Sequence, residues 1–249
     1  MHNNLALEKV LSTEGAIFRL TYEILNALNS KVMVGNIFFD LEKAFDSINH
    51  SLLINKLPHY GISGKSKLLI QSYLSNRFQR VQLDSFSSNS KTASMWTKVQ
   101  HGVPRGSVLD PLLFILYIND LPNTIIHNAT PILFAHDTSL LITGQTAHKF
   151  QDDLNSTFSQ ISEWVKQNSL SLNISKTYFI QFSSKSLNYL DINITYENNY
   201  ITKVNGLKFL GLNIDNALSW KTHIDKILHK LSSACFAMTL VKSLFLNRC

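Results

Sequence analysis

The chain has 249 residues, 45% of them hydrophobic, and a formal net charge of +6. That is enough apolar side chain for a real core in one large domain or two small lobes, and no repeat or low-complexity segment breaks it. Two cysteines without a CxxC pair argue against a disulfide framework or a thiolate zinc site, and the basic balance favours partners with phosphates or anionic surfaces.

A reducing compartment fits this cysteine usage. The longest apolar run, residues 112–118, is far short of the roughly 20 residues a membrane span needs. Met1-His2-Asn3-Asn4 leads into no apolar stretch of the kind a signal peptide carries.

In chain order, Ser12-Thr13-Glu14 marks a helix start, and Ile17, Leu20, Ile24, Leu25 and Leu28 recur at helical spacing with one buried face. Residues 31–40 read as a strand covered on both faces. Helices follow over 47–57 and 65–76, separated by Pro58 and a Gly-rich turn. Residues 77–84 and 93–99 are extended and read as a hairpin around the loop 85–90. After the Gly/Pro turn 101–107, Ser107 can cap a helix running to about Asn119, with Pro111 in its first turn.

Residues 131–142 read as a hairpin with His136-Asp137 at its polar tip. An amphipathic helix carries Phe150, Leu154, Phe158, Ile161 and Val165 on one face. Short strands are expected over 177–182, 192–196, 200–204 and 207–214, then a final helix from about Trp220 to Leu246. The mixture predicts an α+β fold, a sheet layered with helices. If the strands ending at Asp40 and at the hairpin tip are neighbours, Asp40 and Asp137 meet at one edge and suit a hard divalent cation.

Five stretches add a resemblance. Residues 38–50 (FFDLEKAFDSINH), 102–114 (GVPRGSVLDPLLF), 134–137 (FAHD), 172–177 (LNISKT) and 208–212 (KFLGL) resemble, in order, the palm motifs and primer-gripping hairpin of reverse transcriptases from non-LTR retrotransposons. The resemblance implies a palm with partial fingers over 1–218 and the start of a thumb over 219–249. It implies an RNA-directed DNA polymerase with RNA template, DNA primer, deoxynucleoside triphosphates and two Mg²⁺ ions, with Mn²⁺ as a substitute. It implies work inside the cell, in cytoplasm or nucleus, and no membrane partner. Active members are longer, with more of the fingers, usually an endonuclease domain, and a thumb. This chain's last helix is then expected to expose apolar surface and to aggregate unless a partner covers it.

The resemblance makes Asp40 the first metal-bridging carboxylate and puts Leu41's backbone carbonyl beside it; Asp137 is the remaining carboxylate for the metal, although the family's Asp at that position is a supporting residue that points differently. The resemblance also makes Phe45 the aromatic gate under the incoming sugar, and Lys176 a clamp or proton donor near the pyrophosphate. Arg105 and Gly106 lie beside the nucleotide, and Phe209, Leu210 and Gly211 grip the primer. Each has a plainer reading: a solvated strand end for Asp40, core packing for Phe45, a surface lysine for Lys176, a helix cap for Asp46. Arg77, Arg80, Lys91 and Lys98 could meet template phosphates or simply be solvated.

Three residues depart from the family pattern. Arg105 stands for the usual Gln, and Asp110 for a Gly, placing charge beside the nucleic-acid track or harmlessly in a helix's first turn. His136 stands where a metal-binding Asp belongs, and a neutral imidazole gives Mg²⁺ one nitrogen and no charge. The implied outcome is a fold intact in design with crippled catalysis, down to a non-catalytic binding remnant or a transposon-derived fragment with no function.

Overall fold

A computed structural model describes residues 12–84, 91–104, 106–125, 129–134, 137–183, 192, 194–196 and 199–246. The first helix, α1 (Thr13–Asn29), starts where Ser12 Oγ accepts the Gly15 N–H. Its buried stripe is Ala16, Leu20 and Ile24, spaced by four. Leu25, expected to be buried, points outward and is 46% exposed. The hundred degrees between successive helical residues carries it past the covered face.

The strand β1 (Met33–Phe39) is buried from Val34 to Phe39, as a strand covered on both faces must be. The helix α2 (His50–Lys56) is shorter than expected. Its cap is Asn49, whose side chain accepts the Leu52 N–H at 3.1 Å, and not Asp46. A 3-10 turn over Leu57–Tyr60 leads to α3 (Gly64–Leu74). The extended stretch beyond it splits into two short ladders, β2 (Phe78–Gln79) with β5 (Thr97–Lys98) and β3 (Gln82–Asp84) with β4 (Lys91–Ala93).

Next come α4 (Leu109–Ile118), β6 (Ala129–Phe134), β7 (Asp137–Gly144) and α5 (Ala147–Gln167). All five apolar residues assigned to one face of α5 are buried. Beyond it lie β8 (Tyr178–Phe182), β9 (Thr195–Tyr196), β10 (Asn199–Tyr200) and β11 (Thr202–Lys203). The strands expected over 192–196 and 200–204 are thus reduced to two-residue pieces. The hairpin β12 (Gly206–Phe209) and β13 (Leu212–Asp215) turns on Leu210 and Gly211, both at positive φ, as a two-residue type I′ turn requires. The chain then enters α6 (Lys221–Leu246).

The main sheet runs β11-β8-β1-β7-β6, antiparallel except for the β11–β8 pair. Side chains alternate between two cores. Val34, Phe38, Leu141 and Ile180 pack under α1 and against Phe209 and Ile214. Ile37, Phe39, Leu140, Ile142 and Phe179 pack against α4 and α5. The α+β layering expected from the sequence is what forms. Among the described residues no helix is long and apolar enough to cross a membrane.

One half-buried cation ties the second core together. Lys56 Nζ donates to the Asp120 carboxylate and the Tyr117 carbonyl, each at 2.7 Å, and lies over the Tyr117 and Trp164 rings at 4.9 and 5.2 Å. Burial pushes its ammonium below the ordinary lysine range, although the Asp120 carboxylate acts the other way. Burial likewise pushes the Tyr60 hydroxyl up to about 12. Lys56→Met keeps the stem but strips the Tyr117 carbonyl of its donor. It is expected to cost about 2 kcal/mol, read as a lowered denaturant midpoint at unchanged slope.

Candidate active site

The site grows from the end of β1. Phe38 pairs with Ser139 and Phe39 with Thr138. One further step in that register sets Asp40 against Asp137, the first residue of β7. Alternation puts both on the face that carries Phe38 and Leu141. Opposed residues of an antiparallel pair have Cβ atoms roughly 5 Å apart, close enough for two carboxylates to share one cation. The turn is tighter than the sequence implied. Phe134 pairs with Asp137, so Asp137 opens a strand and does not sit at a tip. His136 lies outside the described residues.

The loop after α5 holds Asp40 in place. Asn173 Nδ2 donates to Asp40 Oδ2 at 3.0 Å, and the Asn173 backbone N–H donates to the Asp40 carbonyl at 2.8 Å. The Asp40 N–H donates to Thr177 Oγ1, whose hydroxyl in turn donates to the Asn173 carbonyl. Lys176 Nζ stands 3.7 Å from Asp40 Oδ2, an exposed pair of little energetic weight. The sequence brought Lys176 to notice but gave no role to Asn173 or Thr177. Both sit in the same six-residue stretch, and only the fold reveals that they face Asp40.

Leu41 forms an isolated antiparallel bridge with Leu172. The bonds on either side of it run from Glu42 N–H to Ser171 and from Asn173 N–H to Asp40. In that pattern the carbonyl of Leu41 is directed away from Leu172. Phe45 is half-buried with its ring 4.8 Å from that of Phe114, so the packing reading holds for part of its surface.

Phe45 and the turn at Gly102 are zipped together. Val103 N–H donates to the Phe45 carbonyl and Gly102 N–H to the Ile48 carbonyl. His50 Nε2 lies 2.7 Å from the Gly102 carbonyl. Gly102 has φ +81°, and a Cβ there would sit 2.8 Å from the Asp46 Cα and 2.9 Å from its carbonyl oxygen. Both neighbours are backbone and cannot swing aside. Gly102→Ala is expected to cost at least about 2 kcal/mol, visible as a lower melting temperature. The sequence offered Gly102 only as part of a turn.

Gly106, at φ +80°, donates its N–H to Asp110 Oδ2 at 3.0 Å, and Asp110 N–H donates to Ser107 Oγ at 3.2 Å. Asp110 is only 8% exposed. Its carboxylate closes the turn before α4 from that helix's first turn, the plainer of the two readings the sequence left open. Arg105 lies outside the described residues. Phe209 is buried, edge-on to Phe38 at 5.0 Å, so Leu210 and Gly211 form the accessible tip of their hairpin.

Asp40 and Asp137 offer oxygen donors only, which suits a hard cation such as Mg²⁺. Among the described residues no three His, Cys, Asp or Glu side chains converge to hold a metal. By sequence, an imidazole stands at position 136, next to Asp137.

Residues 9–214 match the family described as reverse transcriptase (RNA-dependent DNA polymerase). The chain is 29% identical over 225 residues to the probable RNA-directed DNA polymerase from transposon BS of Drosophila melanogaster, covering 86% of this chain and 23% of that protein. It is 26% identical over 226 residues to the RNA-directed DNA polymerase from mobile element jockey of Drosophila funebris, covering 87% of this chain and again 23% of the relative. It thus spans less than a quarter of the length of these curated relatives. In fold alone it is similar to apo telomerase from Candida tropicalis truncated from its C-terminal domain, with a TM-score of 0.55 at 15% identity over 85% of this chain and 39% of that one. A match running through all the strands of the main sheet, in a chain whose five motifs keep the family's order, leaves one conclusion: this chain belongs to the reverse transcriptase (RNA-dependent DNA polymerase) family, among the relatives carried by non-LTR mobile elements.

Proposed function

We propose that the chain is the RNA-directed DNA polymerase domain of a mobile element, with nucleotidyl transfer impaired in this copy at His136. The observation that supports the reading is the register that opposes Asp40 to Asp137 at one sheet edge. Asp40 and Asp137 would hold Mg²⁺, which supplies Lewis acidity and neutralises charge as a primer 3′-hydroxyl attacks a nucleoside triphosphate. Asn173 and Thr177 fix Asp40, and the Leu41 carbonyl adds an oxygen on the same side. Phe45 sits under the sugar, and Gly106 lets backbone approach the nucleotide. Lys176 exchanges its partly exposed partner Asp40 for a phosphate. Leu210 and Gly211 touch the primer, with Phe209 supporting them from the core. In this reading residues 1–218 are fingers and palm and 219–249 begin the thumb, acting in cytoplasm or nucleus.

The test is extension of a DNA primer on an RNA template in Mg²⁺. Template-directed product from the His136→Asp variant supports the reading. No product from either the chain or the variant overturns it in favour of a second one, a non-catalytic nucleic-acid-binding remnant. The imidazole in place of an acidic residue at position 136 favours that alternative. It predicts binding that falls steeply with salt, as phosphate contacts require.

A further inference from the structure

Phe45, the proposed floor under the incoming sugar, belongs to neither a helix nor a strand. It sits in the turn between β1 and α2, where the Asp46 and Ser47 N–H groups both donate to the Lys43 carbonyl. Its ring lies half-buried against Phe114 at 4.8 Å, and its backbone carbonyl accepts the Val103 N–H at 2.9 Å.

The Val103 N–H and the Gly102 carbonyl are two ends of one planar peptide unit. That unit is gripped at both ends. Its N–H donates to the Phe45 carbonyl, and its carbonyl oxygen lies 2.7 Å from His50 Nε2. A carbonyl only accepts, so Nε2 carries the hydrogen and donates it. The unit follows a glycine at φ +81°. Glycine resists rotation about its own bonds less than any other residue, so the two hydrogen bonds set the tilt of the unit.

The base of the grip is rigid. His50 opens α2, one residue after the cap Asn49. Tyr117 of α4, fully buried, fastens both ends of that short helix. Its hydroxyl accepts the Asn49 N–H at 3.4 Å, and its carbonyl accepts Lys56 Nζ at 2.7 Å. Asn49 also bridges to His101, next to the gripped unit. A side chain on a fixed helix end holds its target more precisely than one on a loop.

We infer that His50 is a positioning residue for sugar discrimination. Through the Gly102–Val103 peptide unit it fixes the backbone of Phe45, and so the place where that ring meets the 2′ position of an incoming nucleotide. His50 itself stays off the nucleotide. A fastening that holds the fold and nothing more is the plainer role. The inference rests on the polymerase reading above and names what sets the selectivity of that site.

The experiment uses the full chain carrying His136→Asp and reads kcat/KM for one deoxynucleotide and its ribonucleotide on a primed RNA template. His50→Leu fills the space without a donor. It is expected to cut the preference for the deoxynucleotide about tenfold, roughly 1.4 kcal/mol, with kcat for the deoxynucleotide within about threefold. His50→Gln recovers most of the preference, because its amide nitrogen lies as many bonds from the backbone as Nε2. Phe45→Ala lowers the preference by itself, and adding His50→Leu lowers it no further, since both act through one ring. Amide hydrogen exchange reads the grip without catalysis. His50→Leu speeds exchange at Val103 about tenfold and leaves Leu53, inside α2, within about twofold.

The inference is overturned if His50→Leu leaves the preference unchanged, or lowers it equally in the Phe45→Ala background. It is also overturned if Val103 and Leu53 lose protection together, or if His50→Leu and His50→Ala both fail to fold, since His50 is then a fastening of the fold. If the His136→Asp chain makes no product, the polymerase reading falls and takes the selectivity role with it. If it makes product and His50→Leu is silent, only the role of His50 falls.

Discussion

His136→Asp is expected to raise Mg²⁺-dependent primer extension on an RNA template by about a thousandfold over the unsubstituted chain. Position 136 immediately precedes Asp137, whose register partner one step past the β1 ladder is Asp40. An aspartate there adds a charged oxygen donor to a site that wants oxygens in near-octahedral order, and an imidazole offers one nitrogen. Losing one direct ligand costs several kcal/mol of transition-state stabilisation, and about 1.4 kcal/mol is a decade in rate. Replacing Mg²⁺ by Mn²⁺ should narrow the ratio, because Mn²⁺ lies nearer to nitrogen donors in its preferences. Equal extension by chain and variant in Mg²⁺ would sink this account of the metal site.

Asp40→Asn, made in the His136→Asp background, is expected to cost a further thousandfold or more in rate with little change in melting temperature. The amide keeps the size of the carboxylate and can still accept from Asn173 Nδ2, now 3.0 Å from Asp40 Oδ2. The charge it removes is partly exposed, and its pair with Lys176 at 3.7 Å is too solvated to matter for folding. Activity and stability should therefore separate. A parallel fall in both would make Asp40 a structural residue. A rate within about tenfold of the background variant would remove it from the chemistry.

Much of this architecture could be read from the residues, for reasons that differ by element. The α5 stripe was legible because an amphipathic helix writes its period into the sequence, and Phe150 to Val165 are buried as spaced. The β1 run was legible because a strand covered twice is apolar at successive positions. The start of β7 was not, since only the pairing of Phe134 with Asp137 fixes which residues turn. Leu25 misled because several adjacent apolar residues leave the phase of a helix open, and α1 took the stripe through Ala16 instead. Asn173, Thr177 and Gly102 act through partners more than fifty residues away or across a loop contact, which no local pattern encodes. The turn before α4 was half legible: Ser107 does accept the Asp110 N–H, but Val108 and not Ser107 holds the cap position, and the carboxylate's turn back to Gly106 was not foreseen.

The joint between β13 and α6 has a mechanical consequence. Asp215 accepts from the Ala217, Ser219 and Trp220 N–H groups and from the Ser219 hydroxyl. Burial alone would raise its carboxyl, but these donors outweigh that and hold it below the ordinary carboxylate range. The fastening is therefore complete above that range and is released only as acid protonates Asp215 through its lowered value. From Ile224 to Lys242 every side chain of α6 is exposed, so the helix stands on this one carboxylate and on contacts of its first turns, such as Lys226 Nζ to Asn213 at 2.7 Å. Its 26 residues make an arm of about 39 Å. A pivot of roughly 5° at the Asp215 fulcrum sweeps the far end through about 3 Å, at the 1.5 Å rise per residue of an α-helix. Any tilt imposed on this joint from the hairpin of Leu210 and Gly211 would be enlarged along the arm in that proportion.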